Sequence, residues 1–277
     1  MARTTSPEEL VPHFFLDLDG TLIDTNSNEP GSAKYRETLD IVRHLTGSES
    51  LDMAVFDEFY RAFNTQVVDL SMDDASRAFL KIAPQHYPRI GMEEKAFVTY
   101  RAQERDRTYL ERARWIGSAE RHAGTWLSEV PKGWMELAYL VTSASPKTIG
   151  LLSRNPHIRT PEGSGLVDIF ENRIITTKDI KHVKPDPEAY NLALAYSQPE
   201  PSPSGFAGIA FEDSRTGILA ARAANFMRNR LYVVGLESSL TPNQLLEYGA
   251  HMTARALHEV RLPEVLEQAG YTARPGK

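Results

Sequence analysis

The sequence predicts an α/β protein: a parallel sheet covered by helices on both faces, with an all-helical insert after the first strand. Three observations carry this. The run Phe14-Phe15-Leu16, with Leu18, leaves no side for water and reads as a buried strand. From about residue 134 onward, short apolar runs alternate with helical patterns, the mark of a parallel sheet. Between about residues 25 and 120, apolar residues recur only at helical spacing.

In order along the chain, the first strand ends in Asp17-Leu18-Asp19-Gly20-Thr21, where Gly20 frees the backbone to turn. Residues 33–46 place Tyr35, Leu39, Val42 and Leu45 on one helical face, with Gly47 as a stop. Residues 52–70 repeat the pattern through Val55, Phe56, Phe59, Phe63 and Val67. A shorter helix is expected over 73–83, ended by Pro84. Residues 92–116 form a charged helix in which Arg101, Arg105, Arg107, Arg112 and Arg114 alternate with Glu104, Asp106 and Glu111, expected as a solvated face with local ion pairs.

The alternating region starts with a buried strand, Leu137–Thr142, and a short helix around Ile149–Ser153. A Pro- and Gly-rich loop at 155–165 leads to a short strand, Ile174–Thr177. A helix is expected from Asp186 to Tyr196, with Asp186 as N-cap and Pro187 in its first turn. Ala207–Phe211 and Leu231–Val234 are strands, followed by helices at 215–225 and 241–248. Ala250–Thr253 reads as a last strand, 255–269 as a closing helix and 271–277 as a frayed end.

With 277 residues, 41% hydrophobic and 25% charged, the composition is that of an ordinary globular protein of one large or two smaller domains. A net charge of −6 with mixed signs offers no basic stripe for nucleic acid. No apolar stretch approaches the ~20 residues that span a bilayer, and residues 1–9 lack a signal-peptide core. Cysteine is absent, which excludes disulfides, thiolate metal sites and thiol nucleophiles and fits a cytoplasmic location. The sequence specifies no oligomeric state.

Polar residues gather where strands end. If strand geometry persisted, Asp17 and Asp19 would point to one side, roughly 7 Å apart. Downstream stand Thr142-Ser143-Ala144-Ser145 after a strand, Lys184-Pro185-Asp186-Pro187 before a helix, and Glu212-Asp213-Ser214 after a strand. Each has a plain reading alone: Asp-Gly marks turns, Ser and Thr cap helices, and paired carboxylates bind metals without chemistry. Together they compose a phosphate site. Carboxylate oxygens suit Mg²⁺, a hydroxyl and a lysine serve phosphoryl oxygens, and a carboxylate can attack phosphorus.

The runs Asp17-Leu18-Asp19-Gly20-Thr21-Leu22-Ile23-Asp24, Val141-Thr142-Ser143, Lys184-Pro185-Asp186-Pro187-Glu188-Ala189-Tyr190 and Phe211-Glu212-Asp213-Ser214 resemble the ordered motifs of the haloacid dehalogenase superfamily, in its phosphatase and beta-phosphoglucomutase-like branch. The resemblance covers residues 13 to about 255. It implies a Rossmann-like α/β core over 1–24 and 121–277 and a helical cap domain over 25–120. It further implies Asp17 as nucleophile and Mg²⁺ ligand, and Asp19 as general acid and base with its carbonyl on the metal. Asp213 becomes a third ligand, supported by Glu212, and Lys184 balances charge. Thr142 or, shifted by one residue, Ser143 holds the phosphoryl oxygens. Lys147 is a further substrate contact, set against an exposed lysine opening a helix.

The function so implied is Mg²⁺-dependent hydrolysis of a small phosphorylated metabolite through an aspartyl phosphate. A phosphomutase would use the same core, and a phosphate-binding protein without turnover would keep the fold. Asp19 argues against a dehalogenase, which has no need of an acid two residues after its nucleophile.

Overall fold

The computed structural model describes residues 11–23, 32–67, 72–111, 126, 130–154, 163, 165 and 167–271. Residues 1–9, Asp24, 25–31, 68–70, Arg112, Arg114, most of the 155–165 loop and 272–277 lie outside the described residues. The chain divides into two compact units, Met1–Asp24 with Gly117–Lys277, and Thr25–Ile116.

The first unit opens with β1 (His13–Leu16). The chain then builds the second unit from α1 (Ala33–Thr46), α2 (Met53–Val67), α3 (Met72–His86) and α4 (Glu94–Glu111). Ser32 caps α1 by accepting the Tyr35 N–H, and Gly47 ends it at φ 64°, where a side chain would be strained. Aromatic rings dominate the core of this unit: Phe59 stacks on Phe63, and Phe79 meets Phe59, Phe63 and Phe97.

Pro84 lies inside α3 instead of ending it, because a proline this near the C-terminus forfeits a single helical bond while Tyr87 still donates to Ala83 at 2.8 Å. The charged face of α4 is not wholly solvated, since Arg101 is 8% exposed and Glu104 5%. Both continue the inward stripe that Phe97 begins, at i+4 and i+7. Arg101 Nη1 donates to Ser76 Oγ at 3.1 Å, and its guanidinium lies 5.9 Å from the Phe63 ring centre.

Back in the first unit come α5 (Lys132–Met135), β2 (Ala138–Val141), α6 (Pro146–Arg154), β3 (Ile174–Ile175), α7 (Glu188–Ser197), β4 (Phe206–Glu212), α8 (Arg215–Ala223), β5 (Arg230–Leu236), α9 (Pro242–Glu247), β6 (Met252–Ala254) and α10 (Leu262–Gln268). The strands form a six-stranded sheet in the order β3-β2-β1-β4-β5-β6, and every pairing is parallel. Central strands are covered on both faces: Phe14 meets Trp126, Trp134 and Phe211, while its neighbour Phe15 stacks on Tyr139. Phe14, Phe15, Ile209, Ala210 and Phe211 are all 0% exposed.

Some boundaries differ from expectation for local reasons. β3 stops at Ile175 because Asp179 Oδ2 takes the Thr176 N–H and hydroxyl and turns the chain. Helix α7 starts at Glu188, since Asp186 precedes a proline and is pushed out of helical geometry; its carboxylate accepts the Glu188 N–H at 2.9 Å. The expected helix over 255–269 is a 3₁₀ turn, Leu257–Glu259, followed by α10, which Pro263 restarts in its first turn. Among the described residues, no helix is long and apolar enough to cross a membrane.

The sheet order has one functional consequence. After β1 the chain adds strands on one side, then returns to add β4, β5 and β6 on the other. The switch falls between β1 and β4, and the crevice at their carboxyl ends is where such sheets bind ligands.

Candidate active site

Asp17 is the first residue past β1, and its N–H still pairs with the Phe211 carbonyl at 3.1 Å. Strand geometry does not persist to Asp19. The Leu18 carbonyl collects the N–H groups of Thr21, Leu22 and Ile23, and Gly20 turns at φ 81°. Asp19 therefore sits half-buried in a tight turn, bridged to Ile23, and the shared-face argument ends at Leu16. Its charge still bears on Asp17.

β4 ends in Glu212, with Asp213 next, and these are 0% and 1% exposed. Ser214 then caps α8 by accepting the Gly217 N–H at 3.1 Å. The capping reading thus holds for Ser214, while the two acids turn inward. Asp17, Glu212 and Asp213 each offer a carboxylate oxygen, all within 4.8 Å of one another.

Lys184 reaches into this group from the loop before α7. Its Nζ donates to Asp17 Oδ1 at 2.6 Å, Glu212 Oε1 at 2.5 Å and the Val141 carbonyl at 2.9 Å. One ammonium thereby ties together the carboxyl ends of β1, β2 and β4. Its loop is closed by Glu188, whose carboxylate accepts the N–H groups of Lys181 and His182 at 3.0 and 2.8 Å and meets the His182 ring at 3.0 Å.

Burial dominates the electrostatics. It pushes the Asp17 carboxyl up to about 7 against the pull of Lys184, with Glu212 and Asp19 pushing the same way. Glu212 is raised by burial too, opposed by Lys184 and Tyr190. Burial lowers the Lys184 ammonium, but Asp17 and Glu212 overcome it and hold the group above its ordinary value. Three buried acids facing a single lysine suit a hard divalent cation with oxygen ligands.

The hydroxyl cluster is divided. Thr142, directly after β2, is 2% exposed; its N–H donates to Ile175 O at 3.0 Å and its Oγ1 accepts the Ala144 N–H at 3.0 Å. Ser143 and Lys147 are exposed, Ser143 on the same turn and Lys147 in the first turn of α6. Ser145 caps that helix by accepting the Thr148 N–H at 3.2 Å.

Three residues of the site escape a reading by motif role. Tyr190, 0% exposed, donates from its hydroxyl to Glu212 Oε1 at 2.5 Å. Ser238, after β5, donates to Asp213 Oδ2 at 2.5 Å. Gly217 is the seat of Glu212, because a Cβ there would lie 1.8 Å from Oε2. A usable signal existed for Gly217: a glycine inside an alanine-rich helix costs about 1 kcal/mol and asks for a packing reason.

The chain is similar to several known proteins. Validoxylamine A 7'-phosphate phosphatase of Streptomyces hygroscopicus subsp. limoneus is 37% identical over 92 residues, a match spanning 33% of this chain and 38% of that relative. Among solved structures, a conserved haloacid dehalogenase-like protein of Agrobacterium tumefaciens superposes with TM-score 0.56 at 17% identity, over 92% of this chain and 97% of that one. CbbY of Rhodobacter sphaeroides, solved with xylulose-(1,5)bisphosphate, gives TM-score 0.53 at 18% identity, over 90% and 96%. A HAD family hydrolase of Deinococcus radiodurans R1 with bound phosphate and sodium gives 0.53 at 18%, over 95% and 99%. These structures share the fold. The model of one family, haloacid dehalogenase-like hydrolase, matches residues 11–225, and the chain belongs to that family.

Proposed function

We propose that the chain is a phosphatase that hydrolyses a small phosphomonoester through an aspartyl phosphate on Asp17. The observation that carries this reading is the Asp17 carboxylate, held at 2.6 Å by Lys184 among buried acids at the sheet's switch point. A carboxylate approaching a phosphate dianion meets repulsion, and Lys184 offsets it. An Asp17 oxygen forms the bond to phosphorus as the ester bond breaks, and Asp19 protonates the departing alcohol oxygen. Asp19 then takes a proton from the water that attacks the phosphoaspartate, which releases inorganic phosphate and restores Asp17. Thr142, or Ser143 beside it, donates to the phosphoryl oxygens. Positioning and electrostatics supply most of the rate enhancement.

Asp17, Asp213 and the Asp19 carbonyl would hold Mg²⁺, while Glu212 serves the site through Lys184. The ion would supply positive charge against the phosphoryl oxygens. We assign selection of the leaving group to the helical unit, as the family's cap. Sugar phosphates and validoxylamine A 7'-phosphate are the first substrates to try, given what the relatives bind or act on. The lack of cysteine accords with a cytoplasmic enzyme.

The test is phosphate release from an aryl phosphate with Mg²⁺, with chelator, and after Mg²⁺ is restored. Acid-quenched mass spectrometry should find a phosphoryl group on Asp17 that Asp17→Asn lacks. Turnover that survives chelation would remove the metal from the reading. Isomerisation of a sugar phosphate without phosphate release would make the enzyme a mutase, and binding without labelling of Asp17 a binding protein.

A further inference from the structure

Lys184 has no donor to spare. An ammonium carries three N–H groups, and here they go to Asp17, Val141 and Glu212. To serve a phosphoryl oxygen, one of these bonds must be given up. The Val141 carbonyl is fixed by the sheet. Glu212 is fully buried and seated on the Gly217 backbone. Asp17 is the acceptor whose negative charge disappears from its own carboxylate when it bonds to phosphorus. The Asp17 bond is therefore the exchangeable one, and the other two must hold the ammonium during the exchange.

What holds Glu212 is Tyr190. Glu212 Oε1 receives both the Lys184 ammonium and the Tyr190 hydroxyl, each at 2.5 Å. Its Oε2 faces Gly217 and has no hydrogen-bond donor among the described residues. Helix α7 packs on β1, β2 and β3, which brings Tyr190, in its first turn, under the strand ends. The ring centre lies 5.3 Å from Lys184 Nζ, so one side chain floors the ammonium and anchors its counterion.

We propose that Tyr190 is a positioning residue: its hydroxyl fixes Glu212 so that Lys184 stays aligned while trading its Asp17 bond for a phosphoryl oxygen. Without the hydroxyl, Lys184 is the one donor left to Glu212 among the described residues, and Glu212 draws Nζ toward β4. The kinetic part of this inference rests on the phosphatase reading, while the alignment of Lys184 does not.

Tyr190→Phe tests it, since the ring and its packing remain and only the hydroxyl goes. In the full-length protein, kcat with aryl phosphate should fall about tenfold, the value of one well-placed buried hydrogen bond, with the thermal midpoint moved by no more than about 5 °C. In a Glu212→Gln background the same substitution should change kcat by less than about twofold, because its route of action is already weakened. A second readout needs no turnover. In ¹⁵N-labelled protein the Lys184 ammonium, buried with three acceptors, should give a slowly exchanging ¹H–¹⁵N peak that Lys184→Arg removes. Tyr190→Phe should speed its exchange about tenfold.

Unchanged kcat and unchanged exchange would overturn the proposal, as would an undiminished effect in the Glu212→Gln background. A wild type without turnover, whose ammonium peak still broadens in Tyr190→Phe, would remove the phosphatase reading and leave the positioning role standing. If Tyr190→Phe does not fold, Glu212→Gln alone must speed the ammonium exchange, and an unaltered peak there refutes the inference.

Discussion

Gly217→Ala separates two opposite expectations at a single atom. Gly217 lies in the first turn of α8, and alanine is a better helix former by about 1 kcal/mol. By propensity alone the substitution stabilises. The structure predicts the reverse, because the new Cβ would lie 1.8 Å from Glu212 Oε2, 2.1 Å from Cδ and 2.4 Å from Oε1. Ordinary contact begins near 3.4 Å, so the carboxylate must retreat by about 1.6 Å. Bonds of 2.5 Å to Lys184 and Tyr190 do not survive a shift of that size. Breaking a buried charged network of this kind costs roughly 3–5 kcal/mol. Set against the propensity gain, the net loss is about 2–4 kcal/mol, or a midpoint lower by roughly 5–15 °C.

The assay is thermal and urea unfolding alongside phosphate release, with Gly150→Ala as control. Gly150 also lies in a helix, but a Cβ there meets nothing within 4 Å. That variant should gain up to about 1 kcal/mol. Gly217→Ala should lose stability and most of its activity together. A Gly217→Ala protein as stable as Gly150→Ala, with full turnover, would refute the account of how Glu212 is seated.

Ser238→Ala removes the donor to Asp213 Oδ2 and should raise the Mg²⁺ concentration for half-maximal activity about tenfold, read by metal titration of phosphate release. His13 is held by burial near a pKa of about 4, below its unfolded value of 6.5, so the unfolded chain takes the proton first. Its contribution is complete above pH 6.5 and is lost as pH falls toward 4, by about 2 kcal/mol after allowance for partial exposure. Asp17, raised to about 7, has the opposite slope, so the measurement is the difference between wild type and His13→Phe in urea unfolding at pH 7 and pH 4.5. Arg101→Met removes a guanidinium that burial and Arg105 disfavour and the buried Glu37 favours, so urea unfolding should show a loss of no more than about 1 kcal/mol; a loss above roughly 3 kcal/mol would show that charge to be structural.

Much of the fold was legible because its signals are local. Apolar runs such as Phe14–Leu16 and Ala207–Phe211 have no polar alternation, and a strand buried on both faces has none to show. Where the reading slipped, a side chain or a proline acted over one or two residues. Asp179 cut β3 short, Pro187 delayed α7, and Pro263 restarted the last helix. Arg101 departs from expectation for a different reason. Charge suggests solvent, but its spacing from Phe97 places it inward, and periodicity outranks residue type when the two conflict.

The candidate site was legible only to the extent that its residues stand at strand ends. Asp17 and Glu212 directly follow apolar runs and Asp213 stands one residue further on, so their gathering is a consequence of sheet order. Lys184 follows no such run; its motif alone marks it, and the structure supplies what the motif omits, three acceptors at the ends of three strands. By residue type alone Tyr190 suits a core aromatic and Gly217 a small residue in a helix, and neither type points to the site. Their role there depends on where Glu212 ends, 22 residues from Tyr190 along the chain. That is a property of side-chain reach across the fold, to which hydrophobic periodicity is blind. The charged residues of this site could be read from sequence because carboxylate and ammonium chemistry restricts what they do. The neutral residues that hold them could not, because a tyrosine or a glycine is compatible with many surroundings until one is built around it.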